Sequence, residues 1–324
     1  MSKYTFNSFL ADEFESYLKH REASGYKRNT SLPINLKRFD TFIVENCMGD
    51  TFTKENADKW LMRLEDETPI AHYRRINDTK NFFLFIFPRG YEIFLFDDVK
   101  SPPRDFVPHI YTKDEIRRYF KAVDSYTSNR NRYNSIQIPI FFRLLYCCGT
   151  RLDETLMIRK KDVDLEAGVI RLSETKNEKE RYIVLSDELL SLMKSFAAKT
   201  FYLLLDDEYI FRNYKGGHLH KDSAYEIHRK ILQMAGIPYL GDGHGPRIHD
   251  WRFTFAVHSF KYMSDKGIDM YVALPILSTY MGHGSIAATE YYLKMTQDLF
   301  PSITEKMAKT ADAVFGEVGD VSSF

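Results

Sequence analysis

At 324 residues, with 44% hydrophobic and 28% charged side chains, the chain has the make-up of an ordinary globular protein long enough for two domains, each with its own core. Lys plus Arg and Asp plus Glu number 45 each, and the isoelectric point is near 7.2, so no overall positive charge marks a polyanion partner; only a local basic face could serve one. The longest apolar run, Phe82 to Phe87, is far too short to cross a bilayer, and the N-terminal stretch MSKYTFNSFLADEFESYL lacks the apolar core of a signal peptide, which points to the cytoplasm and no membrane partner. Cys47, Cys147 and Cys148 show neither Cys-x-x-Cys spacing nor a neighbouring His cluster, so reduced, packed thiols are expected and no metal site.

In chain order, Phe9 to Val44 reads as two amphipathic helices, with Phe9, Leu10, Phe14, Tyr17 and Leu18 on one and Leu32, Ile34, Leu36, Phe39 and Phe42 on the next. Lys27, Arg28, Lys37 and Arg38 suit either DNA phosphates or a solvated face. Thr53 opens a third helix running through Leu61 and Leu64. A fourth spans Pro69 to Phe87 and carries His72, Tyr73, Arg74, Arg75 and Lys80, a basic and aromatic mix that would suit a backbone-contacting surface, ahead of the core-forming FFLFIF. The segment DDVKSPPRDFVPHIY, with three prolines and no periodicity, marks a boundary near Phe106.

Beyond it, Thr112 and Glu115 form a capping box, since each can satisfy a free amide of the other at a helix start. Ile136 to Cys148 is an apolar helix ending at Gly149. Val169 to Leu172 and Arg181 to Leu185 alternate as strands around the polar turn SETKNEKE, and Tyr209-Ile210-Phe211 is expected to add an edge strand. The remainder reads as helical, with breaks at Gly236-Ile237-Pro238 and Gly241-Asp242-Gly243. The tail places Phe300, Ile303, Met307 and Val314 on one stripe, folded back on its own domain or given to a neighbouring subunit. The predicted architecture is mainly α: an all-helical N-terminal domain, residues 1–106, and an α+β domain with a small antiparallel sheet, residues 107–324.

The chemistry concentrates between Gly149 and Tyr292. His249 and Arg252 lie one turn apart on a helix and could meet the same anionic group, a phosphate being the natural choice; taken alone, the pair also fits a packed histidine and a solvated arginine. Transesterification at a phosphodiester without a metal needs a nucleophile, fixed positive charge and an acid for the departing oxygen. Arg151, after a glycine turn, and Arg252 can each bind two phosphate oxygens and neutralise developing charge. Lys176, on the hairpin, can donate a proton, His249 can exchange one near neutral pH, and Tyr292 can attack phosphorus to form a phosphotyrosine ester. No cofactor is then needed.

These boxes, Gly149-Thr150-Arg151-Leu152-Asp153-Glu154, Lys176 within ETKNEKERYIVL, His249-Asp250-Trp251-Arg252, and Met281-Gly282-His283 followed by Tyr292, resemble in order and spacing those of the tyrosine recombinase, or phage integrase, family. The resemblance covers the whole second domain, and the first is similar to the family's helical, SAM-like core-binding domain. It implies that Arg151 and Arg252 clamp the scissile phosphate, Lys176 is the general acid, His249 assists proton transfer, His283 bonds a non-bridging oxygen, and Tyr292 forms a 3′ link to DNA, with Glu154 orienting Arg151. It further implies double-stranded DNA as partner, a homo-tetramer on two paired sites, strand exchange through a Holliday junction, and a bacterial, nucleoid-associated setting on a mobile element, a phage or a chromosome-resolution system. With the first helix beginning near residue 6, no separate arm-binding domain is expected.

Phe253 and Trp251 depart from the family's usual residues at non-catalytic positions. The tyrosine is doubled: Tyr292 has the family's interval after His283, Tyr291 falls one short, and side chains about 100° apart on a helix cannot both address one phosphate. Lys179 stands on the same turn as Lys176, which the match of TKNEKER to the family's G-K-G-x-K-x-R favours. His218, His220 and His244 are expected at the surface, His258 packed, and Lys215 and Lys221 either on DNA or solvated. A type IB topoisomerase and a non-catalytic DNA-binding protein of the same fold are the alternatives; the GTRLDE box and the two-domain length disfavour the first, the full residue set the second.

Overall fold

The computed structural model describes residues 4–25, 31–103, 107–128, 131–173, 180–239, 241, 245–282 and 287–300. Lys27, Arg28, Lys176, Lys179, His244, His283 and the stripe from Ile303 to Val314 lie outside the described residues. The chain divides into two compact units, Met1–Phe106 and Val107–Phe324.

Among its described residues the first unit packs four α-helices, α1 (Ala11–Ala23), α2 (Ser31–Asn46), α3 (Lys54–Leu61) and α4 (Pro69–Ile86). Its core is aromatic: Phe14 stacks on Phe82 at 4.3 Å, and Phe39 meets Trp60 at 4.8 Å and Phe83 at 5.4 Å. Within FFLFIF the helical period buries Phe82, Phe83 and Ile86 and leaves Leu84 and Phe87 exposed. Two expectations need correction here. Helix α3 stops at Leu61, short of Leu64, and Arg75 is not on the surface but 1% exposed. Both have one cause: the Arg75 guanidinium lies over the Trp60 ring, pairs with Glu67 at 2.8 Å, and donates to the carbonyls of Trp60 (2.7 Å) and Met62 (3.0 Å), which satisfies the end of α3. His72 bonds the Leu61 carbonyl and Lys80 pairs with Asp98, so Arg74 is the basic residue of that helix left exposed.

The second unit holds α5 (Lys113–Asp124), α6 (Arg132–Cys147), α7 (Leu152–Leu156), β1 (Val163–Asp164), β2 (Val169–Leu172), β3 (Arg181–Val184), α8 (Asp187–Thr200), α9 (Lys221–Met234), α10 (Asp250–Asp265), α11 (Met270–Met281) and α12 (Ala287–Leu299). The strands pair antiparallel in the order β1-β2-β3, with Val169 opposite Val184 and Leu172 opposite Arg181; alternation turns Ile170, Leu172 and Ile183 into the core. The fold is thus mainly α with a small antiparallel sheet. The Thr112–Glu115 capping box opens α5 as its sequence dictates. Tyr209-Ile210-Phe211 does not form an edge strand: Tyr209 makes an isolated bridge to Arg159, while Ile210 and Phe211 are drawn into the core as side chains.

Helix α10 is apolar on opposite faces, which places it at the centre. On one side Trp251 lies flat on Tyr111, 3.7 Å away and 3° from parallel; on the other Phe253, Ala256 and Phe260 join Met281 and Tyr292 in a second cluster. His258 packs against Tyr146, whose hydroxyl it meets at 3.2 Å. Cys148 is buried and Cys47 half-buried, but Cys147 is exposed, contrary to the packing expected of all three. It falls on the outward side of α6, where helix geometry rotates it away from buried Cys148. His218 is half-buried and His220 exposed.

Fully buried His228 accepts from the Tyr119 hydroxyl at Nδ1 (2.6 Å), which leaves the Nε2 proton for the Pro246 carbonyl (3.3 Å). Burial lowers its pKa to about 3. The unfolded chain takes up a proton here below about pH 6.5 and the folded chain does not, so the native state loses up to ~1.4 kcal/mol per pH unit as pH falls from there towards the folded value. Urea melts of His228→Gln and the parent across that window are expected to show a shallower acid slope in the variant; equal slopes would place the titration elsewhere.

Candidate active site

Helix α6 ends in the turn Cys148-Gly149-Thr150. Gly149 has φ 58°, and a Cβ there would sit 2.2 Å from the Phe255 ring, so the turn admits glycine alone. The turn delivers Arg151 to the start of α7, where Glu154 takes hold of it twice: Oε2 accepts from the Arg151 backbone amide (3.0 Å) and Oε1 from Nη1 (2.5 Å). Helix α10 supplies Arg252, which is 1% exposed and donates from Nη1 to the Gly149 carbonyl and from Nη2 to the Met281 carbonyl, both at 2.6 Å. Strand β3 supplies Arg181, whose Nη2 reaches Glu154 Oε2 at 2.5 Å and whose Nη1 reaches the Tyr280 carbonyl at 3.3 Å. Arg151 Nη2 completes the set on the Gly282 carbonyl at 2.8 Å. Three consecutive carbonyls at the end of α11, those of Tyr280, Met281 and Gly282, thereby each accept from a different arginine. Gly282 closes the helix in the left-handed conformation, φ 65°.

The tyrosines follow on α12. Tyr292 is 5% exposed, with its ring 4.8 Å from Phe253, whereas Tyr291 is 40% exposed and meets Phe253 edge-on at 5.9 Å. His249 stands at the start of α10 with its ring edge-on to Phe253 at 5.2 Å.

Charge in this cluster is lopsided. Burial lowers the Arg252 guanidinium to about 10, the Arg151 charge pushes the same way, and Tyr292 opposes. Burial lowers Arg181 too, against the attraction of Glu154. For Glu154 burial acts to raise the pKa, but the charges of Arg181 and Arg151 and the Arg151 amide outweigh it, so the carboxylate lies below its ordinary range and stays ionised. Desolvation, then the charges of Arg252, Arg247 and Arg151, lower His249 to about 4. The residue as a whole is exposed, so water offsets part of the desolvation; the imidazole is neutral near pH 7. Three guanidiniums around one carboxylate leave two positive charges uncompensated, the electrostatic signature of an anion site.

Of the sequence-derived residues, Arg151 and Arg252 converge on the end of α11, and His249 and Tyr292 meet around Phe253. Lys176 lies on the segment joining β2 to β3, and His283 directly follows Gly282; both are outside the described residues. Two residues of the cluster carried no assignment from sequence. Arg181 closes the TKNEKER box, and its place at the first residue of a strand opposite Leu172 was the available signal. Phe253 adjoins Arg252 but faces Tyr292 and His249. Lys221 pairs with Asp153 at 2.6 Å, and Lys215 lies near the Tyr214 ring.

Residues 110–298 match the Phage integrase family, and the chain belongs to that family. It is 28% identical over 217 residues to the putative integrase/recombinase y4rB of Sinorhizobium fredii, covering 64% of this chain and 68% of that one. It is 26% identical over 215 residues to the tyrosine recombinase XerA of Thermococcus kodakarensis, covering 65% and 66%. The chain therefore spans about two-thirds of the length of these relatives. The structure of XerH site-specific recombinase bound to palindromic difH substrate in a post-cleavage complex shares the fold, with TM-score 0.65 and 16% identity over 87% of this chain and 78% of that one.

Removing the single counter-charge should be costly. Glu154→Gln is expected to lower the urea midpoint by the equivalent of about 3 kcal/mol, the scale for breaking a buried ion pair from one side, with sulfate restoring part of the loss by entering the cationic cluster. A midpoint within error of the parent's would mean that Glu154 does not hold the arginines.

Proposed function

We propose that the chain is a site-specific DNA recombinase that cleaves and rejoins duplex DNA through a 3′-phosphotyrosine intermediate and a Holliday junction, using neither metal nor ATP. The carrying observation is the gathering of Arg151, Arg181 and Arg252 around one carboxylate, with Tyr292 packed on Phe253 beside them. A phosphodiester entering this cluster meets fixed donors that stay charged, and the same donors stabilise the extra negative charge of a pentacoordinate transition state.

In this reading Arg151 and Arg252 clamp the scissile phosphate. The Tyr292 hydroxyl oxygen bonds to phosphorus while the bond to the 5′ oxygen breaks, and the departing oxygen takes a proton from Lys176. His249, neutral before substrate binds, accepts the tyrosine proton; the phosphate's charge offsets the guanidiniums that depress its basicity. His283 donates to a non-bridging oxygen. A 5′ hydroxyl from the second duplex then attacks the phosphotyrosine and releases Tyr292, so bond energy is conserved. Residues 1–106 serve as the core-binding DNA-binding domain, where exposed Arg38 and Arg74 offer phosphate contacts, and residues 107–324 as the catalytic domain. Four copies act on two paired sites of a mobile element or chromosome-resolution system in the bacterial cytoplasm, at the nucleoid when bound. No helix among the described residues is long and apolar enough to cross a membrane.

Covalent trapping tests the reaction. Duplexes enriched by the chain from a randomised library, rebuilt with a nick beside the cleavage point, are expected to give an adduct that survives denaturation and forms in chelator. Tyr292→Phe should abolish it and Tyr291→Phe should leave it. Loss with Tyr291→Phe alone would shift the nucleophile by one residue, and tight binding without any adduct would favour the non-catalytic alternative.

A further inference from the structure

Arg181 is the least conspicuous of the three arginines and the best placed to connect the others. Its guanidinium joins three elements. It lies on β3, which follows the segment carrying Lys176; it bonds Glu154, the carboxylate that also grips Arg151 by backbone and side chain; and it bonds the Tyr280 carbonyl, one residue before the carbonyl held by Arg252 and two before that held by Arg151. Its side chain is 10% exposed and its Nε, buried, has no acceptor among the described residues. The stem runs directly beneath Gly282: a Cβ on that glycine would come within 2.9 Å of Arg181 Cδ and Nε. The turn leading to His283 therefore rests on the Arg181 side chain, and nothing larger than hydrogen fits between them.

Building on the recombinase reading, we infer that Arg181 is a positioning residue for strand cleavage: it sets the orientation of Arg151 through Glu154 and the height of the Gly282 turn through the Tyr280 carbonyl, and so ties the hairpin to the phosphate clamp. Its contacts, Glu154 and the Tyr280 carbonyl, are with groups that hold the clamp in place. The physical demand is one of geometry. Guanidinium donors stabilise a transition state only when aimed at where its charge develops, and a misplacement of about 1 Å can cost about a hundredfold in rate without loss of ground-state binding. A purely structural residue would instead weaken folding and binding together with the rate.

Single-turnover adduct formation at saturating protein on the nicked duplex reads the chemical step, and fluorescence anisotropy of the same duplex reads binding. Arg181→Gln is expected to slow adduct formation about a hundredfold at saturation, with Kd close to the parent's. Arg181→Lys, which keeps the charge and the stem under Gly282, should recover part of the rate. The double variant Arg181→Gln/Glu154→Gln should lose less than the product of the two single losses, since both share the Arg181–Glu154 contact. An unchanged rate for Arg181→Gln, a loss confined to Kd and melting temperature, or multiplicative losses in the double variant would each overturn the assignment. Should Arg181→Gln fail to fold, Arg181→Lys decides: a lowered rate at unchanged Kd and melting temperature supports the assignment, a parent-like rate overturns it. No adduct with the parent chain would overturn the recombinase reading and this assignment with it, whereas adduct with the parent and equally with Arg181→Gln removes this assignment alone.

Discussion

The second unit's site depends on the last three carbonyls of α11. A helix end leaves such carbonyls without intrahelical partners and concentrates the negative pole of the helix there. Water or a capping residue ordinarily meets that need. Here Arg181, Arg252 and Arg151 meet it in succession at Tyr280, Met281 and Gly282. Guanidiniums brought this close would repel one another and lose hydration, at a cost of several kcal/mol per fully buried ion. The carbonyls, the helix pole and Glu154 offset enough of this to hold them, while burial and the Arg151 charge still lower the Arg252 pKa. For the proposed reaction, incomplete compensation is the useful state: a fully neutralised cluster would have no call on a phosphate, and an uncompensated one would not fold.

Helix α10 joins that electrostatic arrangement to the two tyrosines of α12. The stacking of Trp251 on Tyr111 anchors one side of the helix in the main core, which sets the rotation of the whole element. Arg252, the next residue, must then point to the Gly149 and Met281 carbonyls, and Phe253 to the tyrosines. Phe253 gives Tyr292 an apolar wall and gives His249 an edge-on neighbour. The side chain that departs from the family's usual residue is the one that organises both. On α12, buried Tyr292 and exposed Tyr291 are distinct in environment, though adjacent in sequence: the rotation of about 100° between neighbours is enough to carry one ring into the cluster and the other out of it.

What could be read from the sequence was what local chemistry encodes. The Thr112–Glu115 box, the alternating strands, the glycine turn before Arg151 and the spacing from His249 to Arg252 depend on neighbours a few residues away, and each has its counterpart in the structure. The failures share a different origin. Arg75 reads as one of a basic group on a helix, but the Trp60 and Met62 carbonyls and Glu67 claim it. Arg252 is legible as an anion-binding partner of His249, but the carbonyls that hold it, 103 and 29 residues away in sequence, are not. Tyr209-Ile210-Phe211 has strand-like residues but only isolated bridges, because its apolar side chains find the core without a ladder. In each case the deciding acceptor or packing partner is supplied by tertiary structure, and residue type alone cannot name it.

The neutral charge of the whole chain illustrates the same separation of scales. Many acids sit in exposed pairs such as Arg118–Asp114, Lys161–Asp207 and Lys261–Asp265, where solvent and salt screen them. Such pairs cancel in the net count and leave little field at a distance. The arginines gathered at the end of α11 lie where screening is weak, and a single carboxylate faces them, so the local balance is positive whatever the total. For a polyanion, encounter would draw on exposed cations and depend on salt, whereas seating one phosphate would draw on the buried cluster and depend on its geometry. A chain with equal numbers of acids and bases can therefore carry a strong anion site, provided the uncompensated charges are buried together and a helix end keeps them in place.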